Sequence, residues 1–264
     1  MARCFQNTKT KMQFIDTHCH IHSADYPLDA GEVILRANDQ GVTKLICVGT
    51  DEADSQLAVQ FVQDKPTVWA SIGLHPHDAK LGQEAFDVLT KLVTEPKVVA
   101  IGECGLDYYY NHSSKEDQVA ALRFQIELAL ANNLPMIFHV RDAFDDFWPI
   151  FDSYTGITGV IHSFTAGKEE LQAALERGLY IGLNGIMTFT KDAEQLAAAK
   201  MVPLDKLVLE TDAPFLTPTP LRGKINEPKN VVLTGEFLSS LQGIKLEDLA
   251  AQTSQNAINL FKLV

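Results

Sequence analysis

The sequence predicts an α/β protein that folds as a closed TIM (β/α)8 barrel. Eight short apolar segments with strand character recur along the chain, and a helical segment follows each of them. Eight such pairs in 264 residues match the size of a closed parallel barrel. An open doubly wound sheet would give the same alternation, but its phosphate-binding turn calls for GxGxxG after an early strand, and the sequence has none.

The first four strand and helix pairs fill the N-terminal half of the chain. The predicted strands are 13–18, 44–48, 67–72 and 98–101, and the helices after the first three cover about 29–40, 53–63 and 84–93. The fourth helix is the best marked, because Ser114 and Asp117 form a capping box before apolar residues at helical spacing. We expect that helix to end before Pro135.

The remaining four pairs follow without a long linker. The predicted strands are 136–140, 159–162, 179–183 and 206–209, and the helices after them cover about 143–152, 168–177, 193–201 and 230–241. A shorter helix near 254–263 closes the C-terminus. Because no repeat, low-complexity segment or composition shift marks a boundary, a single domain over residues 1–264 is predicted, with 1–13 as a polar lead.

Composition excludes several classes of protein. Acidic residues outnumber basic ones by 34 to 22, so the broad positive surface of a protein that coats nucleic acid is missing. No run reaches the about 18 apolar residues that a membrane-spanning helix needs. The four cysteines show no CxxC spacing and are predicted to be reduced thiols of a cytoplasmic protein: Cys4, Cys19, Cys47 and Cys104.

The histidines concentrate where barrel enzymes keep their chemistry, at the C-terminal ends of the strands. Six of the eight lie at or just past the end of a predicted strand: His18, His20, His75, His77, His139 and His162. Side chains two apart on a strand point the same way, so Asp16, His18 and His20 are expected to project together into the barrel mouth. Thr17 and Cys19 are expected to face the helices.

Two carboxylates join these histidines. Glu103 ends the fourth predicted strand, and Asp212 ends the eighth, with Glu210 one step deeper on the same face. Two unit charges about 4 Å apart repel by about 4 kcal/mol at an effective dielectric constant of about 20, and no lysine or arginine occupies the ligand positions. A buried polar network is one explanation, and a pair of divalent cations is the other. Six potential ligands favour the cations: His18, His20, Glu103, His139, His162 and Asp212.

Seven motifs together resemble the TatD family of metal-dependent deoxyribonucleases, within the amidohydrolase superfamily. The resemblance runs from about Phe14 to Phe261 and rests on FIDTHCHIH, SIGLHPH, IGECGLDYYY, IFHVRDA, VIHSFTAG, LVLETDAPFLTP and RGKINEP, in that order. It implies two divalent cations. The first would be held by His18, His20, Glu103 and Asp212, and the second by Glu103, His139 and His162.

The resemblance further implies hydrolysis of phosphodiester bonds in DNA, at strand ends or in single strands, by a deoxyribonuclease of exonuclease type. Water activated by the metals would attack phosphorus, and Asp212 would orient it or accept its proton alongside the bridging Glu103. Imidazole-rich sites suit zinc, whereas phosphate chemistry often uses magnesium or manganese, so all three ions stay open. No protein partner and no membrane association are implied.

Several residues are expected to touch substrate. The resemblance suggests this for His75, whereas His77 is expected to be structural. Arg141 either holds a phosphate oxygen or forms a salt bridge with Asp142 and Asp145. Arg222, Lys224 and Lys229 form either a cationic loop for a nucleic acid backbone or a plain surface turn.

The loop after the fourth strand holds three consecutive tyrosines, Tyr108, Tyr109 and Tyr110. They could stack on unpaired bases, or they could pack the loop.

Two other functions compete with the nuclease. An amidohydrolase could cleave a C–N bond of a small molecule with the same ions, but the cationic loop then has nothing to bind. A metal-bound scaffold without catalysis is opposed by the complete ligand set. We therefore expect a metal-dependent hydrolase acting on ester bonds.

Overall fold

The structure, a computed structural model, describes residues 12–110 and 112–264 and confirms the predicted barrel. Its eight parallel strands are hydrogen-bonded to their neighbours in sequence order. A bridge between Cys19 and Ala213 joins the first strand to the segment after the last. The strands are β1 Phe14–Cys19, β2 Val42–Val48, β3 Val68–Ile72, β4 Val98–Asp107, β5 Met136–Arg141, β6 Gly159–Ile161, β7 Tyr180–Leu183 and β8 Leu207–Leu209. Residues 1–11, including Cys4 and most of the predicted lead, lie outside the described residues.

Helices alternate with the strands, and the first eight begin within one residue of their predicted starts. The Ser114 hydroxyl accepts from the Asp117 backbone amide and donates to the Asp117 carboxylate, so the predicted helix cap at Ser114 with Asp117 as its partner is confirmed. Asn133, in the left-handed conformation, ends the same helix before Pro135. The helices are α1 Ala30–Asp39, α2 Glu52–Val62, α3 Gln83–Leu92, α4 Lys115–Asn132, α5 Phe144–Asp152, α6 Lys168–Glu176, α7 Ala193–Met201, α8 Val231–Gln242 and α9 Leu246–Phe261.

Alternation along the strands separates two apolar layers. In β2, Leu45 and Cys47 join the large cluster between the strands and the helices, whereas Ile46 and Val48 join a smaller cluster inside the barrel. Phe261 of α9 belongs to that inner cluster and is 1% exposed. The end of α9 therefore closes the inside of the barrel away from the histidines. Among the described residues, no helix is long and apolar enough to cross a membrane.

Strand β4 is longer than predicted and continues past Ile101 to Asp107. The sequence GECGLD resembles the end of a strand, because glycine and charged residues are depleted in strands. In the structure, Gly105 adopts a φ of 147°, and a Cβ there would collide with the carbonyl oxygen of His139. The glycine thus lets β4 run close against β5 instead of ending the strand.

Helix α9 begins at Leu246, so the predicted start near residue 254 was wrong. Its buried face includes small polar residues that hide the helical hydrophobic pattern. Asn256 donates to the carbonyl oxygens of Leu204 and Leu207, and Ser254 donates to that of Gln13. These hydrogen bonds satisfy the buried polar groups, so polar residues share the buried face of the helix with Leu249, Leu260 and Phe261.

Phe261→Ala should lower the free energy of unfolding by about 3–5 kcal/mol, because it removes a ring from the inner apolar cluster. The control is Leu35→Ala on α1, where the side chain is 59% exposed, and its effect should stay within about 0.5 kcal/mol. Urea denaturation followed by circular dichroism measures both. Equal losses in the two variants would show that α9 does not close the barrel.

Candidate metal centre

The C-terminal ends of the strands bring the six predicted ligands together. His18 lies in β1 and His20 just after it, and their Nε2 atoms are 3.2 Å apart. Glu103, in the middle of β4, places Oε2 3.2 Å from His18 Nε2. Asp212, beyond β8, places Oδ1 3.2 Å from His20 Nε2 and 3.6 Å from His18 Nε2. These four side chains form one compact group of nitrogen and oxygen donors.

The other oxygen of Glu103 faces a second group. Its Oε1 atom lies 2.9 Å from His139 Nδ1, in β5, and 3.8 Å from His162 Nε2, just after β6. His162 Nε2 also lies 3.9 Å from Asp212 Oδ1. Glu103 therefore stands between two sets of imidazoles, with one carboxylate oxygen turned toward each.

Three sets of donor atoms are close enough to hold a cation, with all atoms of a set within 4.8 Å of one another. They are His18, His20 and Glu103; His18, His162 and Asp212; and His75, Glu103 and His139. Imidazole nitrogens with carboxylate oxygens suit zinc, and the carboxylates also suit manganese or magnesium. The residues present therefore fit the metal ions that the sequence predicts.

His75 lies deeper in this group than a purely substrate-contacting residue needs to. Its Nε2 is 3.5 Å from Glu103 Oε1, and its ring centroid is 4.5 Å from that of His139. Burial and the neighbouring His139 lower the pKa of His75 to about 4, so its imidazole is neutral at neutral pH. Its predicted contact with substrate stays a prediction.

Asp16 does not point into the mouth with His18 and His20, so that expectation was wrong. Its carboxylate accepts from the Thr211 hydroxyl at 2.6 Å and from the Thr211 amide at 2.9 Å. The alternation fails because the register of β1 against β2 shifts between Asp16 and Cys19. Asp16 instead fixes the residue next to Asp212, whose φ of 59° is one that aspartate tolerates.

Two carboxylates that received no role from the sequence hold ligand imidazoles in place. Asp107 Oδ2 lies 3.0 Å from Nε2 of both His139 and His77. Glu210 Oε1 lies 3.0 Å from His162 Nδ1. Such partners fix the orientation of a metal-binding imidazole. The sequence could have indicated both, because each is an acidic residue close to a predicted ligand. Asp107 ends the motif ECGLD, which begins with Glu103, and Glu210 begins the motif ETD, which ends with Asp212.

The predicted structural role of His77 agrees with its contact to Asp107. Glu210 has room beside His162 only because residue 182 is glycine, since a Cβ there would collide with the Glu210 carboxylate. The third imidazole support is a backbone group, the Val48 carbonyl, 2.8 Å from His20 Nδ1.

The electrostatics of the group favour bound cations. Burial opposes ionisation of Glu103, but the charge on His162 and hydrogen bonds from His139 and His18 hold the pKa of Glu103 well below its usual range. Burial would lower the pKa of His162, yet Glu210 and Glu103 raise it to about 10. The pKa of Asp212 is also lowered, against the effect of burial, by His20 and His162. The carboxylates therefore keep their negative charges deep in the barrel, where positive charge is most stabilised.

The predicted phosphate-binding residues lie around this group and differ in availability. Arg141 is exposed, places its guanidinium 3.9 Å from the Tyr109 ring centroid, and forms no ion pair with Asp142 or Asp145 within the described residues. The salt-bridge alternative for Arg141 is therefore wrong. Arg222 lies 3.7 Å over the Phe189 ring and donates to the Thr217 carbonyl.

The cationic loop is smaller than predicted. Lys224 is exposed like Arg222. Lys229 donates to Glu227 at 2.8 Å, and Arg36 donates to the same carboxylate at 2.7 Å. The charge of Lys229 is thus partly neutralised by Glu227, so Arg222 and Lys224 are left as the exposed cations of this loop.

A profile of the family described as TatD related DNase matches residues 15–262. The chain belongs to this family. It is 37% identical over 251 residues to the uncharacterized metal-dependent hydrolase YabD of Bacillus subtilis, covering 94% of this chain and 98% of that protein. It is also 37% identical over 257 residues to the 3'-5' ssDNA/RNA exonuclease TatD of Erwinia billingiae, covering 94% of this chain and 98% of that protein.

Solved structures include close relatives of the same fold. The crystal structure of YJJV, a TatD homologue from Escherichia coli, superposes with a TM-score of 0.88 at 27% sequence identity. The match covers 96% of this chain and 99% of the homologue. The fold is therefore that of a TatD-family hydrolase, a family whose relatives include metal-dependent hydrolases.

Glu210→Gln should weaken binding of zinc about 10- to 100-fold, because His162 loses the carboxylate that orients it. Isothermal titration of the metal-stripped protein measures the affinity. The matched control is Glu84→Gln, an exposed residue of α3, which should bind zinc like the unaltered chain. Unchanged affinity in Glu210→Gln would mean that Glu210 does not support the metal centre.

Proposed function

We propose that this TatD-family chain hydrolyses phosphodiester bonds of DNA with two divalent cations. The observation that carries the proposal is the position of Glu103, whose two oxygens face separate sets of imidazoles. A carboxylate that bridges two ions needs this arrangement. The name of the Erwinia billingiae relative, an exonuclease for ssDNA/RNA, supports single strands or strand ends as the substrate.

The donor distances support the predicted ligand sets in part. They group His18, His20 and Glu103 as predicted, but His162 lies with His18 and Asp212, and His139 lies with Glu103 and His75. His18, His20, Glu103 and Asp212 would hold one ion. Glu103, His139 and His162 would hold the other. When bound, the ions would lower the pKa of water and neutralise charge on the phosphate. Zinc, magnesium and manganese all remain compatible with these donors.

The side chains of the chain itself orient the reactants and move a proton. Asp212 is the more accessible of the two carboxylates, with its side chain 15% exposed against 7% for Glu103. It can therefore meet an attacking water from the mouth and accept its proton at Oδ2, the carboxylate oxygen that does not face His18 and His20. Glu103, the more deeply buried carboxylate, keeps its charge among the imidazoles and stays the bridging ligand.

The exposed cations would hold the substrate backbone beside these groups. Arg141 lies on one side of the mouth, and Arg222 and Lys224 lie on the other, beyond Asp212. One guanidinium group can donate two parallel hydrogen bonds to the oxygens of one phosphate. Arg141 and Arg222 can therefore hold a strand at two separate phosphates. His75 would touch the substrate between them. One barrel spans the described residues, which agrees with a single domain over residues 1–264.

The proposal is tested on protein loaded in turn with zinc, magnesium and manganese. End-labelled single-stranded DNA, duplex DNA and RNA are incubated beside a panel of cyclic amides, and products are mapped by gel electrophoresis and chromatography. Single-stranded DNA should be cleaved, and a chelator should abolish cleavage. Hydrolysis of an amide without cleavage of any nucleic acid would instead establish an amidohydrolase.

Asp212→Asn should reduce turnover about 100-fold or more, because the neutral amide cannot accept a proton. Its metal content, measured by elemental analysis, should fall far less, since an amide oxygen can still bind a cation. Asp205→Asn, at an exposed position before β8, serves as the control and should change neither quantity. Parallel loss of metal and turnover in Asp212→Asn would leave Asp212 as a ligand without a separate proton role.

A further inference from the structure

Phe215 is an exposed aromatic residue beside the metal centre. Its side chain is 60% exposed, and its ring centroid lies 6.3 Å from that of His20. It follows Asp212 by three residues, and its amide donates to the Asp212 carbonyl at 2.8 Å. A large ring is thus presented to solvent next to His20, one of the proposed ligands.

The backbone that carries Phe215 is fixed rather than loose. Asn226, which is fully buried, donates to the Phe215 carbonyl at 2.6 Å and to the Thr211 carbonyl at 2.9 Å. The Asn226 amide donates to the Pro214 carbonyl. The loop with Arg222 and Lys224 is therefore tied to the segment that carries Phe215, so one unit presents a ring and two cations.

A second exposed ring lies on the other side of the mouth. Tyr109 is 56% exposed, carries the Arg141 guanidinium on its face, and has its amide fixed by Asp107 Oδ1 at 2.9 Å. Its neighbour Tyr108 is different, because its hydroxyl donates to Asp146 and Lys115 lies over its ring. Tyr108 therefore packs the loop, which is one of the two predicted alternatives, whereas the exposed ring of Tyr109 stays available for stacking.

A continuous series of side-chain contacts runs from Phe215, through the histidines and Glu103, to Tyr109 on the other side of the barrel mouth. Phe215 neighbours His20, and His20 neighbours His18, which contacts Glu103. From Glu103 the contacts continue to His139, then to His77 and on to Tyr110, whose ring touches that of Tyr109. The proposed ions would therefore lie between Phe215 and Tyr109.

We propose that Phe215 and Tyr109 stack on unpaired bases on either side of the phosphate that is cleaved. The inference rests on the proposed nucleic acid substrate and adds a binding site to it. Rings that alternate with cations along a groove are the combination that binds single strands, because every base has a face for stacking. Bases paired in a duplex are stacked on one another and cannot use these rings, so the site selects unpaired strands.

The test is a double-mutant cycle between a ring and a base. Metal-loaded protein binds a fluorescent oligothymidylate with phosphorothioate linkages, and anisotropy gives Kd. A tetrahydrofuran residue without a base replaces each position in turn. In the unaltered protein, removal of one particular base should weaken binding about 10-fold, equal to about 1.4 kcal/mol. Phe215→Ala should show the same loss with the intact oligonucleotide, and removal of that base should then cost nothing further.

Matched variants separate stacking from general apolar contact. Phe215→Trp keeps a ring and should retain the coupling, whereas Phe215→Leu should lose it. Leu35→Ala removes a side chain of equal exposure, 59%, far from the mouth and should leave Kd unchanged. Tyr109→Ala should couple to a different base, and Tyr109→Phe should retain that coupling.

The outcomes keep this inference apart from the proposed function. If DNA is cleaved while the losses from Phe215→Ala and from base removal simply add, the stacking site is wrong and the nuclease stands. If Kd is unchanged in Phe215→Ala, the stacking site is equally wrong. If the unaltered protein neither binds nor cleaves any nucleic acid, both proposals fall.

Discussion

The buried negative charge of Glu103 is the constraint on which the rest of the site depends. An ionised carboxylate withdrawn from water costs several kcal/mol unless donors or positive charge compensate it. The barrel can supply them because the C-terminal ends of parallel strands meet at one mouth. Imidazoles from β1, β5 and the end of β6 lie around its two oxygens. Glu103 therefore stays ionised at a place where further positive charge is stabilised.

Compensation at this depth requires imidazoles in fixed orientations, and that requirement extends into the surrounding strands. Each of three ligand imidazoles has an oxygen partner at the ring nitrogen that is turned away from the centre. The partner of His139 is Asp107, that of His162 is Glu210, and that of His20 is the Val48 carbonyl. Gly182 gives Glu210 its space, and Gly105 lets β4 approach β5. The packing around the charged centre thus requires glycine at two positions, one on β4 and one on β7, although neither glycine takes part in the chemistry.

Much of the fold and the ligand set could be predicted because their signals are local. Apolar segments in strand and helix alternation mark the barrel, and the rule that polar residues gather at strand ends collects His18, Glu103 and Asp212. What the sequence could not show depends on the register and on contacts between distant residues. Asp16 turns to Thr211 because β1 is irregular. The partnership of Asp107 with His139 joins residues 32 apart in the chain.

The charge of the whole chain explains why aromatic rings matter at the mouth. With a net charge of −12, most of the surface repels phosphate, although salt screens this beyond about 8 Å. On the proposed function, Arg141, Arg222 and Lys224 contact only a few phosphates, and electrostatic affinity grows with the number of phosphates neutralised. Such a protein must obtain further affinity from a source that does not depend on charge. On the proposed function, stacking on bases would provide it, and only an unpaired strand could supply those bases, so the acidic surface and the exposed rings would favour the same substrate.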